Sequence, residues 1–476
     1  MGELIPHTPH QNNDRNTGLP IKKRIDALRP LGRFFYTRAV CAFPLKGWGS
    51  MYHRVLIANR ADCASRLIDT CHALEIQTVL IAARDETARL ALEKSDRVVF
   101  TGFSRDAYTN PDNILEAAHA ECCEAILPGW GFLSEDFAFS RRARLMGLDF
   151  VGPSSRHLQI FGDKLDTLER LLPRFGLPLR AKRADDPEIL DFLSQSAGPW
   201  MLKGRFGGGG KSIARYDDRA ALLARIAQAA ARHEAHLDFV EPAVDGARHI
   251  EFQVFGDGAG RARVLGIRDC TAQVHHQKWL EYHLEPNTPT LRRLTENIET
   301  TFSELRYQGW GTVEFLVTRD QAFHLLEVNP RLQVEHGVTE MARQVDLVAA
   351  ALELSCHGRV DWDVLDSAMN EPRPHDVLEF RLFARGTGRL DLGFEGCRWP
   401  DHPMRDDPAY RLETGYDTCN DITGTYDGLI ARFLVRTSKG GAVGAMKSWL
   451  RTFHCRGLET NLDDLLALPD TLVMPE

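Results

Sequence analysis

A βαβ pattern just beyond the first fifty residues sets the class of fold that this chain adopts. Residues 54–58 (Arg-Val-Leu-Ile-Ala) and 78–82 (Thr-Val-Leu-Ile-Ala) are apolar runs of strand length, and residues 62–74 between them have helical spacing. Two buried strands joined by a helix require a parallel sheet with helices on its faces. Because a further helix and strand follow up to residue 127, residues 54–152 predict a doubly wound α/β domain. No G-x-G-x-x-G follows the first strand, so dinucleotide binding is not supported.

Composition excludes several classes of protein. The chain has 476 residues, of which 43% are apolar and 26% are charged, as in a globular protein rather than a disordered or fibrous one. The net charge of −8 argues against a nucleic-acid partner. No apolar run approaches the roughly 18 residues of a membrane span, so no membrane partner is expected either.

Charge and cysteine usage bear on the start of the chain and on its compartment. Residues 1–50 contain eight Lys or Arg and three Asp or Glu, which gives this segment a net charge of +5 and the remainder −13. We interpret residues 1–53 as a leader that is disordered or not translated, with Met51 as a candidate start and a transit segment as the alternative. Ten cysteines without a C-x-x-C pair predict reduced thiols and a cytoplasmic protein, with mitochondrial import as the alternative.

A glycine-rich loop stands in the middle of the chain. Residues 207–210 are four consecutive glycines between predicted strands at 200–203 and 212–216, and Lys203 and Lys211 flank them. Glycines let backbone N–H groups approach phosphate oxygens without a Cβ in the way, and the lysines add positive charge. The loop is not a Walker A motif, because an arginine replaces one required glycine and a strand follows. The loop predicts phosphate binding, with a plain flexible turn as the alternative.

Two acidic side chains face each other in a predicted hairpin. Residues 311–329 have the pattern of two strands with a turn centred on residues 320–321, and this register places Glu314 opposite Glu327. Carboxylates directly opposite each other repel, and a divalent cation removes the repulsion. Together with Asn329 they offer the oxygen ligands that suit Mg²⁺ or Mn²⁺. A solvated polar face is the alternative.

The polar alternation continues beyond this hairpin. Every second residue is polar in the series Glu327, Asn329, Arg331, Gln333 and Glu335. A period of two places all five side chains on one face if the chain stays extended, although a proline restricts the segment to an edge or bent strand. A cation site, a guanidinium and a candidate base would then lie along one line. The alternative is an ordinary amphipathic strand.

A short basic cluster lies upstream, at His275, His276, Gln277 and Lys278. Zinc binding is poorly supported here, because neighbouring side chains of a strand point to opposite faces and no further Cys or His has suitable spacing. We interpret Lys278 as an anion-binding residue, with a plain surface lysine as the alternative.

Seven motifs follow one another in a fixed order along the chain. They are Ile57-Ala-Asn-Arg60, Pro128-Gly-Trp-Gly-Phe-Leu-Ser-Glu135, Phe150-Val-Gly-Pro153, Gly162-Asp-Lys164, the glycine loop, His275-His-Gln-Lys278 and Glu327-Val-Asn-Pro-Arg-Leu-Gln-Val-Glu-His336. In these motifs residues 54–465 resemble the biotin carboxylases, the ATP-grasp subunits of biotin-dependent carboxylases. The resemblance implies a multidomain α/β and α+β fold. An N-terminal doubly wound parallel-sheet domain (54–165) precedes a central ATP-grasp domain (166–375), whose glycine-loop lid spans about 182–253, and a C-terminal mixed α+β domain (376–465).

The resemblance also implies roles for individual residues. The cofactor positions for ATP are Lys164, Lys203, Gly207, Gly208, Gly209, Glu241, His249 and His276. The metal ligands are Glu314, Glu327 and Asn329, in agreement with the predicted register. Bicarbonate is held by Lys278, Arg331, Gln333 and Val334. Glu335 removes the bicarbonate proton, and Arg381 stabilises the biotin enolate.

The implied reaction joins ATP, bicarbonate and biotin. Bicarbonate attacks the γ-phosphate of ATP bound with Mg²⁺ or Mn²⁺, the resulting carboxyphosphate breaks down to CO₂ and phosphate, and biotin captures the CO₂. Ala445-Met446-Lys447 is similar to the biotinylated tripeptide of carrier domains but lies in a predicted helix at 442–453, so we expect no biotin on this lysine. The expected partners are therefore a separate biotin carboxyl carrier protein and a carboxyltransferase subunit, and the resemblance implies a homodimer.

Departures from the family pattern leave two alternatives open. Phe206 stands where the family loop has a fifth glycine, and Phe383-Ala-Arg-Gly-Thr387 lacks two acidic residues that usually follow the biotin arginine. These changes favour, as alternatives, an ATP-grasp ligase with another acceptor or a non-catalytic relative.

Overall fold

The computed structural model describes residues 51–196, 198–207, 213–274, 277–370, 375–394, 397–398, 407–417 and 420–469. Nearly all of the predicted leader, together with Gly208, Gly209 and His276, therefore lies outside the described residues. No helix within these ranges combines the length and the apolar character that crossing a membrane requires.

A five-stranded parallel sheet forms the first part of the fold. Its strands are β1 (Arg54–Ile57), β2 (Gln77–Ala82), β3 (Arg97–Phe100), β4 (Ala125–Leu127) and β5 (Asp149–Phe150). Their order is β3-β2-β1-β4-β5, and every pair is parallel. Side chains of β1 alternate between two cores, because Val55 and Ile57 join one apolar cluster and Leu56 joins another. The prediction of a doubly wound sheet covered on both faces is confirmed.

Six helices lie between these strands or directly after the last of them. They are α1 (Ala61–Ala73), α2 (Arg89–Lys94), α3 (Asp106–Thr109), α4 (Pro111–Ala120), α5 (Phe137–Leu145) and α6 (Ser155–Gly162). The helix α7 (Lys164–Leu171) follows at once, since Asp163 caps it by accepting from the N–H groups of Leu165 and Asp166.

A small four-stranded antiparallel sheet comes next. It consists of β6 (Lys182–Arg183), β7 (Trp200–Gly204), β8 (Ile213–Tyr216) and β9 (Asp238–Pro242), in the order β6-β9-β7-β8, with α8 (Ile189–Ser194) and α9 (Arg219–Ala231). Strands β7 and β8 pair as a hairpin on either side of the glycine loop, as predicted. This sheet has its own core, which includes Trp200, Leu202, Leu222 and Val240.

An eight-stranded antiparallel sheet forms the body of the molecule. Its strands are β10 (Arg248–Asp257), β11 (Ala262–Val274), β12 (Gln277–Leu284), β13 (Gln308–Val317), β14 (Phe323–Asn329), β15 (His375–Phe383), β19 (Tyr410–Thr414) and β21 (Leu429–Ser438). The order is β14-β13-β10-β11-β12-β15-β21-β19. Because β12 pairs with β15, one sheet continues across residue 375, where a domain boundary was predicted. The accompanying helices are α10 (Pro289–Glu304), α11 (His336–Arg343), α12 (Leu347–His357) and α13 (Trp362–Asn370).

The remaining elements complete the C-terminal part. They are β16 (Gly388–Arg389), β17 (Asp391–Phe394), β18 (Cys397–Arg398), β20 (Asp421–Ile422), β22 (Phe453–Arg456), α14 (Ala442–Arg451) and α15 (Leu462–Ala467). The helix α15 follows α14, which was predicted to be the last. At Gly415 the chain touches α1 so closely that a Cβ there would lie 2.2 Å from the Cα atom of Ala61.

Six described cysteines carry free thiols: Cys63, Cys71, Cys123, Cys270, Cys356 and Cys455. Cys122 is disulfide-bonded, so the expectation of reduced thiols is wrong at that residue.

Candidate active site

The register predicted for the hairpin is confirmed at its two acidic residues. Strands β13 and β14 pair antiparallel, and Glu314 lies directly opposite Glu327. The pairs nearest the turn, such as Phe315 with Leu325, are shifted by one residue from the predicted register. A bulge between Glu314 and Phe315 restores the predicted pairing farther along the strands.

The row of facing side chains extends to a third carboxylate. Glu251 on β10 pairs with Glu314 on β13, and Arg268 on β11 pairs with Glu251. Four neighbouring strands thus carry, side by side, Arg268, Glu251, Glu314 and Glu327. Arg268 donates to the buried Glu251 carboxylate at 3.1 Å. So much buried negative charge needs cations beside it, from the protein or from a ligand.

Glu251 and Arg268 are absent from the predicted site residues. A signal for the first of them was present, because His249, Glu251 and Gln253 alternate with apolar residues along β10. Its partner across the sheet has no comparable local signal.

Hydrogen-bond donors surround the Glu314 carboxylate. His249 donates Nε2 to Oε2 at 2.8 Å, and the amides of Asn329 and Gln333 donate to Oε1 at 2.5 and 2.7 Å. Burial acts to raise the pKa of Glu314, but the charge of Lys278 and the hydrogen bond from His249 outweigh it and hold that pKa at about 2. Glu314 is therefore ionised at neutral pH.

Lys164 connects the second carboxylate with the glycine loop. Its Nζ atom lies 3.3 Å from Oε2 of Glu327 and 2.5 Å from the carbonyl oxygen of Gly207. Asn329 donates to the other oxygen of Glu327 at 3.2 Å. Three predicted nucleotide and metal positions, Lys164, Gly207 and Glu327, thus come together, although they are far apart in the sequence.

The extended segment predicted as far as Glu335 ends early. Strand β14 ends at Asn329, and the chain turns before α11 begins, because the following proline cannot donate to a strand neighbour. The prediction of one extended line is therefore wrong for the backbone. Contacts still gather the polar side chains, since Arg331 donates to Gln333 Oε1 at 3.0 Å and to Asn329 Oδ1 at 3.2 Å.

Glu335 is held between two cations. Lys278 donates to its Oε1 atom at 2.5 Å, and Arg381 donates to its Oε2 atom at 2.8 Å. The carboxylate is buried, which acts to raise its pKa, but Lys278, Arg381 and Arg268 together hold that pKa well below its usual range. Lys278 also pairs with Glu251, so it links the acidic row to Glu335. Val334, which precedes Glu335, accepts a hydrogen bond at its carbonyl oxygen from the buried Arg432.

Arg381 lies among three buried carboxylates. Besides Glu335, it contacts Glu281, and its Nε atom donates to Glu379 at 3.1 Å. Glu281 and Glu379 face each other on β12 and β15. Burial raises the pKa of Glu379 to about 7 and that of Glu281 well above its usual range, so this pair does not carry two full negative charges at neutral pH.

Glu135 is a further contact that was not predicted. It lies in the connection after β4 and accepts from the Nε atom of Arg331, so the parallel-sheet part of the fold reaches into the site. The residue ends one of the seven motifs of the sequence, but a motif alone does not reveal a partner.

Two predicted ATP positions lie in the small sheet. Lys203 on β7 and Glu241 on β9 form an ion pair with each other. A cavity of about 560 Å³ adjoins Glu241 and is walled by side chains from several elements: Leu168, Leu294, Leu316 and Leu325. This volume is in the range of roughly 300–1,000 Å³ that is typical of small-molecule sites.

Comparison with known proteins identifies the family. A family model for the N-terminal domain of biotin carboxylase matches residues 51–158, and one for the ATP-binding domain of the carbamoyl-phosphate synthase L chain matches residues 177–360. The biotin-dependent acyl-coenzyme A carboxylase alpha3 subunit of Mycobacterium leprae is 31% identical over 423 residues, which cover 86% of this chain and 69% of that subunit. The chain belongs to the biotin carboxylase family. Members of this family are parts of ATP-dependent ligases.

Other biotin carboxylase relatives agree with this assignment. The alpha subunit of mitochondrial methylcrotonoyl-CoA carboxylase from Rattus norvegicus is 31% identical over 435 residues. This chain spans about 60% of the length of that subunit, and 88% of this chain is covered. The biotin carboxylase domain of Hydrogenobacter thermophilus 2-oxoglutarate carboxylase superposes with a TM-score of 0.78 and 29% identity, over 87% of this chain and 93% of that one. That structure holds MgADP, ADP and bicarbonate.

Proposed function

We propose that this chain uses ATP and bicarbonate to carboxylate biotin on a carrier protein. The observation that carries the proposal is the position of Glu335, whose carboxylate accepts from Lys278 and from Arg381 at once. Lys278 is the lysine proposed for bicarbonate, and Arg381 is the arginine proposed for biotin. A base that contacts both groups is well placed to link the two halves of the reaction.

The bicarbonate half uses the cations and amides around Glu335. Lys278, Arg331, Gln333 and the backbone of Val334 would hold the anion, because each offers a hydrogen-bond donor to negatively charged oxygens. Glu335 takes the bicarbonate proton, and the deprotonated oxygen attacks the γ-phosphorus of ATP. The bond from this phosphorus to the β,γ-bridging oxygen breaks, so that carboxyphosphate forms and ADP leaves. The low pKa of Glu335 keeps it in the carboxylate form that can accept a proton.

The donor set of the hairpin fits a divalent metal ion. Glu314 and Glu327 face each other, and the Asn329 side-chain amide donates N–H groups to both carboxylates. A half-turn of this amide would direct its oxygen to a cation held by the two carboxylates. We therefore assign these three residues as ligands of Mg²⁺ or Mn²⁺. When bound, the ion supplies neutralisation of phosphate charge during phosphoryl transfer.

Nucleotide binding is assigned to the small sheet and its surroundings. Lys203, Glu241, Lys164 and His249 are the described residues proposed for ATP, with the glycines of the loop. The walls of the cavity beside Glu241 include leucine side chains that suit a nucleobase, together with charged side chains such as Arg180, Asp245 and Arg293. The lid at about 182–253 would exclude water from the phosphates when it covers them.

The biotin half uses Arg381. Breakdown of carboxyphosphate releases CO₂ and phosphate, the phosphate removes the ureido proton of biotin, and biotin N1 then captures the CO₂. The Arg381 guanidinium would stabilise the negative charge that develops on the ureido oxygen.

The wider assembly belongs to the same proposal. A separate biotin carboxyl carrier protein and a carboxyltransferase subunit would deliver and consume the carried biotin, and the chain would act as a homodimer in the cytoplasm. The division at residues 165 and 375 into three domains is part of this proposal as well.

ADP release measured with and without bicarbonate and free biotin tests the proposal. We expect bicarbonate-dependent ATP cleavage that free biotin stimulates, and a loss of about 100-fold or more in Glu335→Gln. Glu188→Gln, an exposed substitution in the small sheet region, is the matched control and should keep full activity. ATP cleavage with another acceptor but without biotin stimulation would favour a different ATP-grasp ligase, and no cleavage at all would favour a non-catalytic relative.

A further inference from the structure

Two arginines on neighbouring strands donate hydrogen bonds to consecutive residues of one loop. Arg381 on β15 lies directly opposite Arg432 on β21, so both side chains project from the same face of the sheet. Arg381 donates to the Glu335 carboxylate, and Arg432 donates Nη1 to the carbonyl oxygen of Val334. Like charges directly opposite each other destabilise a sheet, so this pair requires compensating partners.

Arg432 finds its partners on three separate parts of the fold. Its guanidinium is fully buried, its Nε atom donates to Asp62 on α1 at 3.1 Å, and its Nη2 atom pairs with Glu413 on β19. The guanidinium carbon also lies 5.0 Å from the centre of the Trp130 ring. A planar, buried guanidinium that is fixed on several sides has little freedom to move. Its bond to Val334 therefore has a fixed direction.

His336 holds the same loop from a second side. Its Nδ1 atom lies 2.8 Å from the carbonyl oxygen of Gln333 and 3.2 Å from that of Val334. Both partners are acceptors, so Nδ1 carries a hydrogen and donates it. The ring is completely buried, and burial lowers the pKa of His336 to about 4, which keeps the ring neutral at pH 7.

Fixing a carbonyl also fixes the N–H group of the same peptide. A trans peptide is planar, and its N–H bond points opposite to its C=O bond. His336 therefore sets the direction of the Val334 N–H through the Gln333 carbonyl. Arg432 sets the direction of the Glu335 N–H through the Val334 carbonyl. Both carbonyl oxygens lie close to the same Nδ1 atom of His336, so the two N–H groups point to the opposite side of this turn. Successive N–H groups on one side of a turn form the kind of concavity that binds anions.

We propose that Arg432, together with His336, is a positioning residue that orients the backbone N–H groups of Val334 and Glu335 toward bicarbonate. This inference rests on the proposed function, since it concerns the same anion. Neither residue needs to touch the substrate. The two residues act on bicarbonate through the geometry of the peptide groups. The proposal therefore predicts that replacing them weakens the binding of bicarbonate but not the binding of ATP.

Arg432→Lys in the full chain tests the proposal, with Arg411→Lys as the matched control. Arg411 pairs with Glu340 and with Glu413, the carboxylate that Arg432 also contacts. Both substitutions therefore replace a guanidinium beside Glu413 with an ammonium. They differ because Arg432 is the residue that donates to the Val334 carbonyl. A lysine ammonium cannot reproduce the planar fork that contacts Asp62, Glu413 and the Val334 carbonyl at once. We expect the KM for bicarbonate to rise about tenfold or more in Arg432→Lys, with the KM for ATP within about twofold. Arg411→Lys should leave both constants within about twofold.

His336 provides a second, independent pair of variants. The Asn side-chain amide in His336→Asn can replace the Nδ1–H donor, whereas His336→Leu removes it. We expect His336→Leu to raise the KM for bicarbonate about tenfold and His336→Asn to raise it less than about threefold. This pair keeps the test valid if Arg432→Lys does not fold.

Three outcomes would overturn the inference. They are an unchanged KM for bicarbonate in folded Arg432→Lys, equal increases in the constants for ATP and bicarbonate, or equal effects of His336→Asn and His336→Leu. Failure of the wild-type protein itself to cleave ATP in response to bicarbonate would instead overturn the proposed function, and this inference with it.

Discussion

Lys278 donates to Glu335 at 2.5 Å. The lysine that we propose binds bicarbonate thus contacts the carboxylate that we propose removes the bicarbonate proton. The same ammonium pairs with Glu251 at the end of the acidic row. One cation therefore lies between the proposed base and the row of carboxylates that continues to the proposed metal ligands. Glu335, Lys278 and Glu251 are electrostatically coupled, so the removal of one of these charges should affect the other two groups.

Removal of one carboxylate from the facing pair should weaken metal binding. In Glu327→Gln we expect the Mg²⁺ concentration for half-maximal ATP cleavage to rise at least about tenfold, because a neutral amide replaces an anionic ligand. Titration of ADP release with Mg²⁺ measures this. Glu304→Gln, an exposed residue of α10, should leave the titration unchanged. An unchanged Mg²⁺ requirement in Glu327→Gln would contradict the metal assignment.

Acid should weaken the protein through Glu340. Burial acts to raise the pKa of this carboxyl, but Arg66 and Arg411, which donate to it at 3.0 and 2.7 Å, hold that pKa far below its ordinary value of 4.5. A lowered pKa in the folded state means that the stabilisation is present above about pH 4.5. It is lost as the pH falls from there toward the folded pKa.

Glu340→Gln should therefore lower the free energy of unfolding by about 1–3 kcal/mol at pH 7, because it removes the carboxylate that Arg66 and Arg411 share while both arginines keep their contact with Glu413. Urea unfolding at pH 7 and at pH 3.5 measures the difference, which should shrink at the lower pH. If the difference between wild type and Glu340→Gln were the same at both values, the linkage would be wrong. Glu188→Gln, whose side chain is 73% exposed, should show little change at either pH.

Gly415 should not tolerate a side chain. In Gly415→Ala the new Cβ would lie 2.2 Å from backbone atoms of Ala61, so we expect a loss of about 1–3 kcal/mol or more in the free energy of unfolding. Gly444, inside α14, has nothing within 4 Å of the position that a Cβ would take, and Gly444→Ala should stabilise the protein by about 0.5–1 kcal/mol. Opposite signs for the two variants in thermal or urea unfolding are the expected result, and equal signs would contradict it.

Lys447 should carry no biotin. Its side chain is buried on α14, and its Nζ atom donates to the carbonyl oxygen of Leu468, so a biotin ligase cannot reach it without unfolding the helix. Co-expression with a biotin ligase followed by a streptavidin blot measures this, with a known biotin carrier domain as the positive control. Labelling that disappears in Lys447→Arg would show the prediction to be wrong.

Local patterns predicted the parts of the site that lie close together in the sequence. The hairpin pair Glu314 and Glu327 follows from two short strands around one turn, and the bulge shifted only the pairs nearest that turn. The prediction failed at the end of β14. There the alternation of polar residues continues in the sequence, but the backbone does not stay extended. A proline in the sequence warned of this bend, yet it could not fix the direction that the chain took afterwards.

Contacts between distant strands could not be predicted in the same way. Glu281 and Glu379 face each other because β12 pairs with β15, and these strands are separated by helices and a hairpin. Arg432 reaches Val334 and Asp62 for the same reason. Register between such strands depends on the packing of the whole sheet, which periodicity in a short window does not contain.

The contact between Gly415 and Ala61 has a consequence for synthesis of the protein on the ribosome. Ala61 belongs to the same apolar cluster as Phe433 and Trp449, and Asp62 meets Arg432, a residue 370 positions later. The parallel sheet is translated first, but the surface that begins α1 stays uncovered until the final strands emerge. Nascent chains that stall before β21 would thus expose this apolar surface, and they are the species on which chaperones should act.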